Sequence, residues 1–215
     1  MALHFLDDEL WFPDADEALP DGLLAVGGAL STDRLLLAYR RGIFPWFNEE
    51  DPPLWWSPDP RFVLFPQELK VSKSMQQVMK KNAFEFRVDT AFERVIHNCK
   101  TVERKGMNGT WIGEEIESAY TALHKMGYAH SAETWQDGEL VGGLYGILLG
   151  SVFFGESKFS FKSNASKFAF IKWVEVLRAR GVVVIDCQVH TAHLESLGAR
   201  MIARSEFIHL LSEHI

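Results

Sequence analysis

A short polar run, Asp186-Cys187-Gln188, ends the apolar stretch V-V-V-I in the last fifth of the chain. In a strand, the period of two places Asp186 and Gln188 on one face and Cys187 on the other. Polar side chains at the end of an apolar strand need hydrogen-bond partners or a water-filled cleft. We expect the Asp186 carboxylate to hold the amide NH₂ of Gln188, which directs the carbonyl oxygen of Gln188 outward.

This outward oxygen suits a step in which an amine attacks a carbonyl group. An amide is too weak a base to remove a proton completely, but it orients the amine and shares its proton as the new bond forms. The alternative is structural, namely an Asp–Gln pair that only satisfies the end of a strand.

A second carboxylate, Glu156, follows the run S-V-F-F-G, and Gly155 beside it permits close approach of another backbone. Next to an apolar pocket, this carboxylate would receive a cationic substrate group; a surface salt bridge is the alternative. Trp111 in G-T-W-I-G is a large aromatic residue in a glycine-bounded turn. Its residue type alone is more typical of a core than of a site.

Two other chemistries have weak support. In the expected register Cys187 faces away from Asp186 and Gln188, which disfavours a thiol nucleophile. His190 and His193 have helical spacing, but no adjacent carboxylate or cysteine completes a metal set. The sequence also contains no P-loop and no G-x-G-x-x-G motif.

The segment Arg40–Arg61 contains three of the seven tryptophans and five of the eight prolines. Prolines fix the backbone and withhold donors, so we expect neither a long helix nor a central strand here. A rigid loop lined with aromatic side chains would present flat apolar surfaces to a ligand or to another domain. Aromatic side chains buried in the segment's own core are the alternative.

A basic segment, Lys70–Lys81, contrasts with the net charge of −7 of the whole chain. That net charge argues against indiscriminate nucleic-acid binding. In a helix, Lys73, Gln77, Lys80 and Lys81 share one face, which is the best candidate for phosphate contacts. A merely solvated helix face is the alternative.

The composition is that of a soluble globular protein, with 47% apolar and 24% charged residues among 215. Two cysteines give no disulfide framework and favour a reducing compartment. The acidic start lacks the pattern of a signal peptide, and the longest uncharged stretch, Leu140–Gly155, is too short for a membrane span. We expect a cytoplasmic protein without a membrane segment, and nothing in the sequence demands an oligomer.

The elements that position these residues follow from periodicity and turn signals. We place a boundary around Pro58–Pro66, between a small N-terminal domain (1–60) and a larger domain (61–215). The larger domain has an Asp137-Gly138 hairpin that continues into a third antiparallel strand, then a long helix over Asn164–Arg180 and the strand V-V-V-I-D-C-Q-V. A mixed central sheet flanked by helices buries these faces, which makes the fold α+β. This order resembles the acetyltransferase-like (GNAT) fold.

Helices are predicted elsewhere as well: at Thr32–Arg41 with Ser31 as N-cap, at Ser72–Lys81, after Thr90 as N-cap, at Gly113–Met126 and from Ser205.

Several sequence blocks, in order along nearly the whole chain, resemble the leucyl/phenylalanyl-tRNA–protein transferase family. They include P-D-G-L-L-A-V-G-G-A-L-S, R-L-L-L-A-Y-R-R-G-I-F-P-W-F, L-W-W-S-P-D-P-R, H-S-A-E-T-W, F-F-G-E-S-K-F-S and I-D-C-Q-V-H-T-A-H-L-E-S-L-G-A. The resemblance implies a bacterial cytosolic enzyme that transfers leucine or phenylalanine, and less readily methionine, from aminoacyl-tRNA to an N-terminal Arg or Lys. The product enters N-end rule degradation. A small N-terminal domain on a GNAT-like domain is also implied, and neither a metal nor acyl-CoA is required.

The resemblance also implies roles for individual residues. Asp186 and Gln188 match the pair proposed to assist the attacking amine, by chemistry or by positioning alone, and Glu156 matches a substrate-binding carboxylate. The walls around the donor's side chain and terminal adenosine would be Tyr39, Trp46, Trp111, Phe153, Gly155 and Ile185. Trp55 and Trp56 would form the seam between the two domains. The tRNA acceptor stem would contact Lys73, Lys80 and Lys81, although Gln76 and Gln77 stand where basic residues are expected.

Two other functions remain open at this point. An acyl-CoA N-acetyltransferase is suggested by the fold, but it needs a glycine-rich pyrophosphate loop before the long helix. The chain has S-F-K-S-N-A-S-K there. A non-enzymatic binding module built on the aromatic loop would leave Asp186 and Gln188 without a role.

Overall fold

The computed structural model describes residues 3–102 and 112–215. The N-terminal segment forms a four-stranded sheet with the order β1-β2-β4-β3 and one helix. Its elements are β1 (His4–Leu6), β2 (Leu23–Gly27), α1 (Thr32–Arg40), β3 (Phe44–Pro45) and β4 (Leu54–Trp56). The Ser31 hydroxyl accepts a hydrogen bond from the backbone N–H of Arg34 at 3.2 Å, so the predicted N-cap of α1 is confirmed.

The proline-rich segment contains a central strand, and the expectation of none is wrong. Strand β4 lies between β2 and β3. Its prolines do not interfere because Pro53 and Pro58 flank the strand, while Pro45 lies on the edge strand β3. Trp55 is fully buried, and its Nε1 donates to the carbonyl oxygen of Gly27 at 2.9 Å.

The second sheet has seven strands in the order β11-β5-β10-β9-β8-β7-β6. Strands β6 to β9 form an antiparallel meander, whereas β10 is parallel to β9 and antiparallel to β5. The elements are β5 (Arg61–Leu64), α2 (Lys73–Lys80), β6 (Glu85–Val88), α3 (Phe92–Thr101), α4 (Glu114–Lys125), β7 (Ala129–Gln136), β8 (Glu139–Leu149), β9 (Val152–Ser160), α5 (Ala165–Ala179), β10 (Val184–Gln188), α6 (Ala192–Glu195), β11 (Arg200–Ile202) and α7 (Arg204–His214). The predicted α+β fold, with a mixed central sheet flanked by helices behind a small N-terminal sheet, is confirmed.

The N-cap predicted for α3 is wrong in its details. The N-cap position is Ala91, and the cap is supplied from β7. The fully buried Glu133 carboxylate accepts the backbone N–H groups of Thr90 and Ala91, both at 2.8 Å. A carboxylate at a helix N-terminus satisfies donors that have no partner within the helix.

The core has two clusters of buried side chains on the two faces of the larger sheet. The first includes Tyr39 and Trp55 of the N-terminal segment together with Tyr120, Phe154 and Val184. The second contains the apolar face of α5 together with Ile185. Strand β10 is therefore covered on both faces, as its apolar run predicts. Within the described ranges, no helix is long and apolar enough to cross a membrane.

Strands β9 and β10 separate before either of them ends. Their pairing runs from Val184↔Val152 to Asp186↔Phe154, whereas β9 continues to Ser160 and β10 to Gln188. Two bulges accompany the separation, one in β10 between Asp186 and Gln188 and one in the β8–β9 pair beside Gly146. Bulges bend a strand and redirect its side chains. The separation opens a wedge within the sheet.

Candidate active site

A cavity of about 390 Å³ lies where β9 and β10 separate. One part of its wall is apolar and comes from both sheets and from α5 and α6, namely Phe44, Pro45, Trp46, Leu144, Phe153, Phe170, Ile185, Val189 and Leu194. The remaining lining residues are Tyr145, Gly155, Glu156, Ser157, Lys158, Asp186, Cys187, Gln188 and Thr191. An apolar wall with a few convergent polar groups is typical of a small-molecule site.

Glu156 is the centre of a hydrogen-bond network at this cavity. Its Oε1 accepts from the Tyr39 hydroxyl at 2.7 Å and from Gln188 Nε2 at 3.0 Å. Its Oε2 accepts from the Tyr120 hydroxyl at 3.1 Å. The Tyr39 and Tyr120 hydroxyls also contact each other. Glu156 is thus held by α1, α4 and β10, not by the surface salt bridge that residue types alone left open.

The surroundings of Glu156 bring its protonation change close to neutral pH. Burial raises the pKa of Glu156 from 4.5 to about 7, and the charge of Asp186 acts in the same direction. The hydrogen bonds from Tyr39, Tyr120 and Gln188 oppose this rise because they favour the charged carboxylate. Burial likewise raises the pKa of both tyrosines well above 10, so both keep their protons at neutral pH.

Asp186 forms a fully buried ion pair with Arg61 and does not hold the Gln188 side chain. Arg61 Nε and Nη2 donate to the two Asp186 oxygens at 2.8 and 2.7 Å, with both side chains fully buried. The planar guanidinium fits both carboxylate oxygens at once. The expected bond from the Gln188 amide to Asp186 is therefore wrong. Asp186 Oδ1 instead accepts the Gln188 backbone N–H at 2.9 Å.

Gln188 departs from strand geometry, and this places its amide beside Glu156. Its φ is +63°, in the left-handed region, and the bulge between Asp186 and Gln188 breaks the alternation of faces. The same irregularity brings Cys187 to the cavity wall, although the regular register predicts that it faces away. Burial raises the pKa of the Cys187 thiol, which keeps it protonated and unsuited to nucleophilic attack.

Arg61 is held by further contacts besides Asp186. Its guanidinium lies between the rings of Phe44 and Phe207, 4.7 and 4.8 Å from their centroids, and Nη1 donates to the carbonyl oxygen of Gly42 at 3.1 Å. The ion pair is therefore anchored to the N-terminal segment and to α7 at the same time.

The other predicted wall residues fall into three groups. Trp46, Phe153, Gly155 and Ile185 line the cavity, and Trp46 is 41% exposed. Tyr39 is fully buried and reaches the site through Glu156, from behind the wall. Trp111 lies outside the described residues.

The remaining candidate residues are not among those that line the cavity. Lys73, Lys80 and Lys81 are exposed on or beside α2. His190 contacts Glu195 at 3.1 Å, whereas burial and the charges of Lys158 and Lys167 lower the pKa of His193 to about 4. In the parts of the chain that the structure describes, no three histidine, cysteine or acidic residues are grouped to hold a metal ion.

Sequence reasoning missed several residues of the cavity wall, and it also missed Arg61 and Tyr120, which hold Asp186 and Glu156. Tyr120 follows Ile116 by four positions on the buried face of α4, and a buried tyrosine hydroxyl usually has a hydrogen-bond partner. That signal could have identified Tyr120. Arg61 pairs with a residue 125 positions later, a distance over which sequence spacing carries no information.

Solved structures overlap this one only in part. The structure of L-PGS from Bacillus licheniformis is 11% identical, covers 78% of this chain and 53% of its own, and has a TM-score of 0.43. A GCN5-related N-acetyltransferase from Kribbella flavida is 10% identical, covers 78% and 60%, and has a TM-score of 0.38.

Sequence relatives cover the whole site. The chain is 55% identical to the leucyl/phenylalanyl-tRNA–protein transferase of Syntrophobacter fumaroxidans over 100% of this chain and 92% of the relative. It is 57% identical to the enzyme of the same name from Nitrosospira multiformis, over 98% and 91%. The model of the leucyl/phenylalanyl-tRNA protein transferase family matches residues 63–212, and the model of that family's N-terminal domain matches residues 28–59. The chain belongs to the leucyl/phenylalanyl-tRNA protein transferase family.

Proposed function

We propose that this protein is an aminoacyltransferase that moves leucine or phenylalanine, and less readily methionine, from aminoacyl-tRNA to proteins that begin with Arg or Lys. We also propose that it acts in the cytoplasm as a monomer and directs its products to N-end rule degradation. The observation that carries the chemistry is a single cavity in which an apolar wall meets a carboxylate and a side-chain amide.

The apolar wall suits the side chain of the donor amino acid. Phe153, Phe170 and Ile185 present rings and methyl groups without a hydrogen-bonding group that would select one side chain. In such a pocket one methylene is worth only about 1–3 kcal/mol, so leucine, phenylalanine and methionine can share it. Shape excludes side chains that are branched at the β carbon.

The exposed face of Trp46 suits the terminal adenosine of the donor tRNA. The Trp46 ring packs against Trp56 with centroids 5.8 Å apart, and Trp56 Nε1 donates to the Trp46 carbonyl oxygen at 2.7 Å. These contacts hold the ring in place before the ligand arrives. Base–aromatic stacking of this kind is worth about 1–3 kcal/mol. The resemblance assigns Trp111 to the same wall.

The acceptor amine belongs on the opposite side, at Gln188 and Glu156. Because Gln188 Nε2 donates to Glu156, the amide oxygen is the end left to accept from an incoming N–H. Asp186 fixes this geometry through the Gln188 backbone N–H and so acts as a positioning residue. The aminoacyl ester is already activated, so positioning supplies much of the rate and no cofactor is needed.

The body of the tRNA would lie along α2, where Lys73 and Lys80 are exposed together with the adjacent Lys81. We retain residues 1–60 and 61–215 as the two proposed domains. The cavity uses both, because Phe44 and Trp46 come from the first and β9 and β10 from the second.

Transfer of radiolabelled leucine from Leu-tRNA to a peptide that begins with Arg tests this function. We expect the wild-type protein to transfer the label, and Trp46→Ala to raise KM for Leu-tRNA about tenfold through loss of stacking. Phe161→Ala is the matched control, because Phe161 is 54% exposed and lies outside the cavity. Absence of transfer by the wild-type protein would reject the proposal, and tight acetyl-CoA binding in calorimetry would favour an acetyltransferase instead.

A further inference from the structure

We propose that Glu156 is a catalytic residue that accepts the proton of the attacking amine, and that Tyr39 and Tyr120 are the positioning residues that tune it. This inference rests on the proposed aminoacyl transfer. It departs from the two roles suggested by resemblance, in which Glu156 only binds the substrate and Gln188 shares the proton.

Of the described residues that line the cavity, Glu156 and Asp186 are the carboxylates. Asp186 is committed to Arg61 through both of its oxygens and is fully buried. The Gln188 amide is too weakly basic to hold a proton. Of the two carboxylates on the described wall, Glu156 is therefore the one that can take a full proton and return it.

The two hydroxyl groups of Tyr39 and Tyr120 and the carboxyl group of Glu156 contact one another pairwise, and we call this arrangement the triangle. It can form hydrogen bonds in both protonation states of the carboxyl group. When Glu156 is charged, Tyr39 donates to Oε1 and Tyr120 donates to Oε2, in the arrangement described above. When Oε2 carries a proton, it can donate to the Tyr120 oxygen. Tyr120 then turns its O–H to Tyr39, and Tyr39 continues to donate to Oε1. No buried polar group in the triangle loses its partner in either state, so neither state bears the cost of an unpaired group.

The contact between the two tyrosines explains why two hydroxyls are present instead of one. Two O–H groups supply two protons, and the three contacts of the triangle cannot all be hydrogen bonds while Glu156 is charged. The third contact becomes a hydrogen bond only when Glu156 brings a third proton. A proton taken up by Glu156 during the reaction therefore completes the third hydrogen bond of the triangle.

The surroundings of Glu156 shift its pKa in opposite directions. Burial and the negative charge of Asp186 favour the protonated form, and the three hydrogen bonds from Tyr39, Tyr120 and Gln188 favour the charged form. The resulting pKa of about 7 suits a proton acceptor that works at neutral pH. Among the described residues, the other ionisable groups that line the cavity or contact these residues include Arg61, Tyr145, Lys158 and Cys187.

The step balances without any further reactant. The neutral α-amino group attacks the ester carbonyl, its nitrogen forms the new C–N bond, and the carbonyl π electrons move to oxygen. Glu156 takes one proton from that nitrogen. The C=O bond then re-forms, the bond from the carbonyl carbon to the ribose oxygen breaks, and the ribose oxygen receives the proton from Glu156. The products are an amide and a tRNA with a free terminal hydroxyl, and Glu156 is charged again.

The test is the pH dependence of kcat and of acceptor KM for transfer from Leu-tRNA to a peptide beginning with Arg, between about pH 5.5 and 9. We expect Glu156→Gln to lower kcat about 100-fold or more, the usual contribution of a positioned proton acceptor, with little change in acceptor KM. We expect Tyr39→Phe and Tyr120→Phe to move the acidic limb to higher pH, because each removes a donor to the charged carboxylate. Their rates should approach the wild-type rate at the alkaline end.

The acceptor amine titrates identically in assays of the variants and of the wild type. Dividing the variant rate by the wild-type rate at each pH therefore cancels the effect of this titration. Tyr128→Phe, which lies outside the cavity wall and this network, is the matched control and should leave the ratio flat. A Glu156→Gln variant that raises acceptor KM but keeps kcat would show a binding role and overturn the proposal. Tyr→Phe variants that lose rate equally at every pH would also overturn it. If the wild-type protein transfers nothing at any pH, the proposed function fails instead.

Discussion

Arg61 connects three parts of the molecule through one guanidinium group. It pairs with Asp186 on β10, donates to Gly42 beyond α1, and lies between the rings of Phe44 and Phe207. A buried ion pair contributes little over an apolar pair of the same size, but loss of one partner leaves an uncompensated buried charge. The Arg61–Asp186 pair therefore contributes a fixed geometry at the Gln188 backbone more than it contributes stability.

Replacement of Arg61 should be far more costly than replacement of an exposed arginine. We expect Arg61→Met to lower the free energy of unfolding by about 3–5 kcal/mol, because Asp186 is left buried without its counter-charge. Arg200→Met is the control, since the pair of Arg200 with Glu68 at 3.1 Å is exposed and worth about 1 kcal/mol at most. Urea unfolding measures both. Equal losses in the two variants would contradict the buried ion pair.

At the residue scale, sequence reasoning selected candidate residues that lie at one cavity, but it did not predict their hydrogen bonds. Asp186, Gln188 and Glu156 all line one cavity, as residue types at strand ends indicate. The partners differ because a bulge turns Gln188 to φ +63° and because Arg61 comes from a distant strand. Neither a bulge nor a long-range ion pair leaves a periodic signal in the sequence.

At the scale of the elements, helix α2 presents an exposed polar face, which we proposed as the contact surface for tRNA. Ser72 caps it, and it buries Met75 while Lys73 and Lys80 remain in solvent. Its partner would be a polyanion, whereas the whole chain carries a net charge of −7. If tRNA binds along α2 as proposed, this local cluster of lysines would set the salt dependence of binding.

Removal of two of these charges should weaken binding and flatten its salt dependence. We expect Lys80→Ala with Lys81→Ala to lower the affinity for Leu-tRNA and to reduce the slope of log K against log salt by about 1–2. Filter binding at several KCl concentrations measures this slope. The control is Lys125→Ala, an exposed lysine on α4 that lies 3.7 Å from Glu93. An unchanged slope in the double variant would place the tRNA elsewhere.

Elements with strong local signals were predicted from the sequence, and elements defined by distant partners were not. The Asp137-Gly138 hairpin, α4 and α5 lie where turn residues and periodicity place them. Strand β4 has three residues between two prolines, and it exists because β2 and β3 pair with it on both sides. Short strands of this kind depend on their neighbours in space, which single-sequence patterns do not contain.

At the scale of the whole molecule, the elevated pKa of Glu156 makes folding stability depend on pH. The pKa rises from 4.5 to about 7 on folding, so the folded state binds this proton more tightly than the unfolded state. The stabilisation is fully present below about pH 4.5 and is lost as the pH rises to about 7. The rise in pKa from 4.5 to about 7 corresponds to about 3.4 kcal/mol at most.

A Glu156→Gln variant should therefore become more stable than the wild type as the pH rises. We expect the difference in unfolding free energy between variant and wild type to grow by up to about 3 kcal/mol between pH 4.5 and 7.5. Urea unfolding across this range measures it, and Glu206→Gln on the exposed side of α7 is the control. A constant difference across the range would mean that Glu156 titrates alike in the folded and unfolded states.

Residues on both sides of positions 57–60 enclose the cavity. The two parts of the chain therefore constrain each other's sequence as such chains diverge. Tyr39 and Trp46 lie on one side of those positions, whereas Glu156 and Gln188 lie on the other. Recombination at this point would separate Tyr39 from the carboxylate it contacts, and Phe44 from the guanidinium it covers. We therefore expect the two matched segments, 28–59 and 63–212, to be inherited together. A segment imported from a distant lineage would need compensating changes in the other.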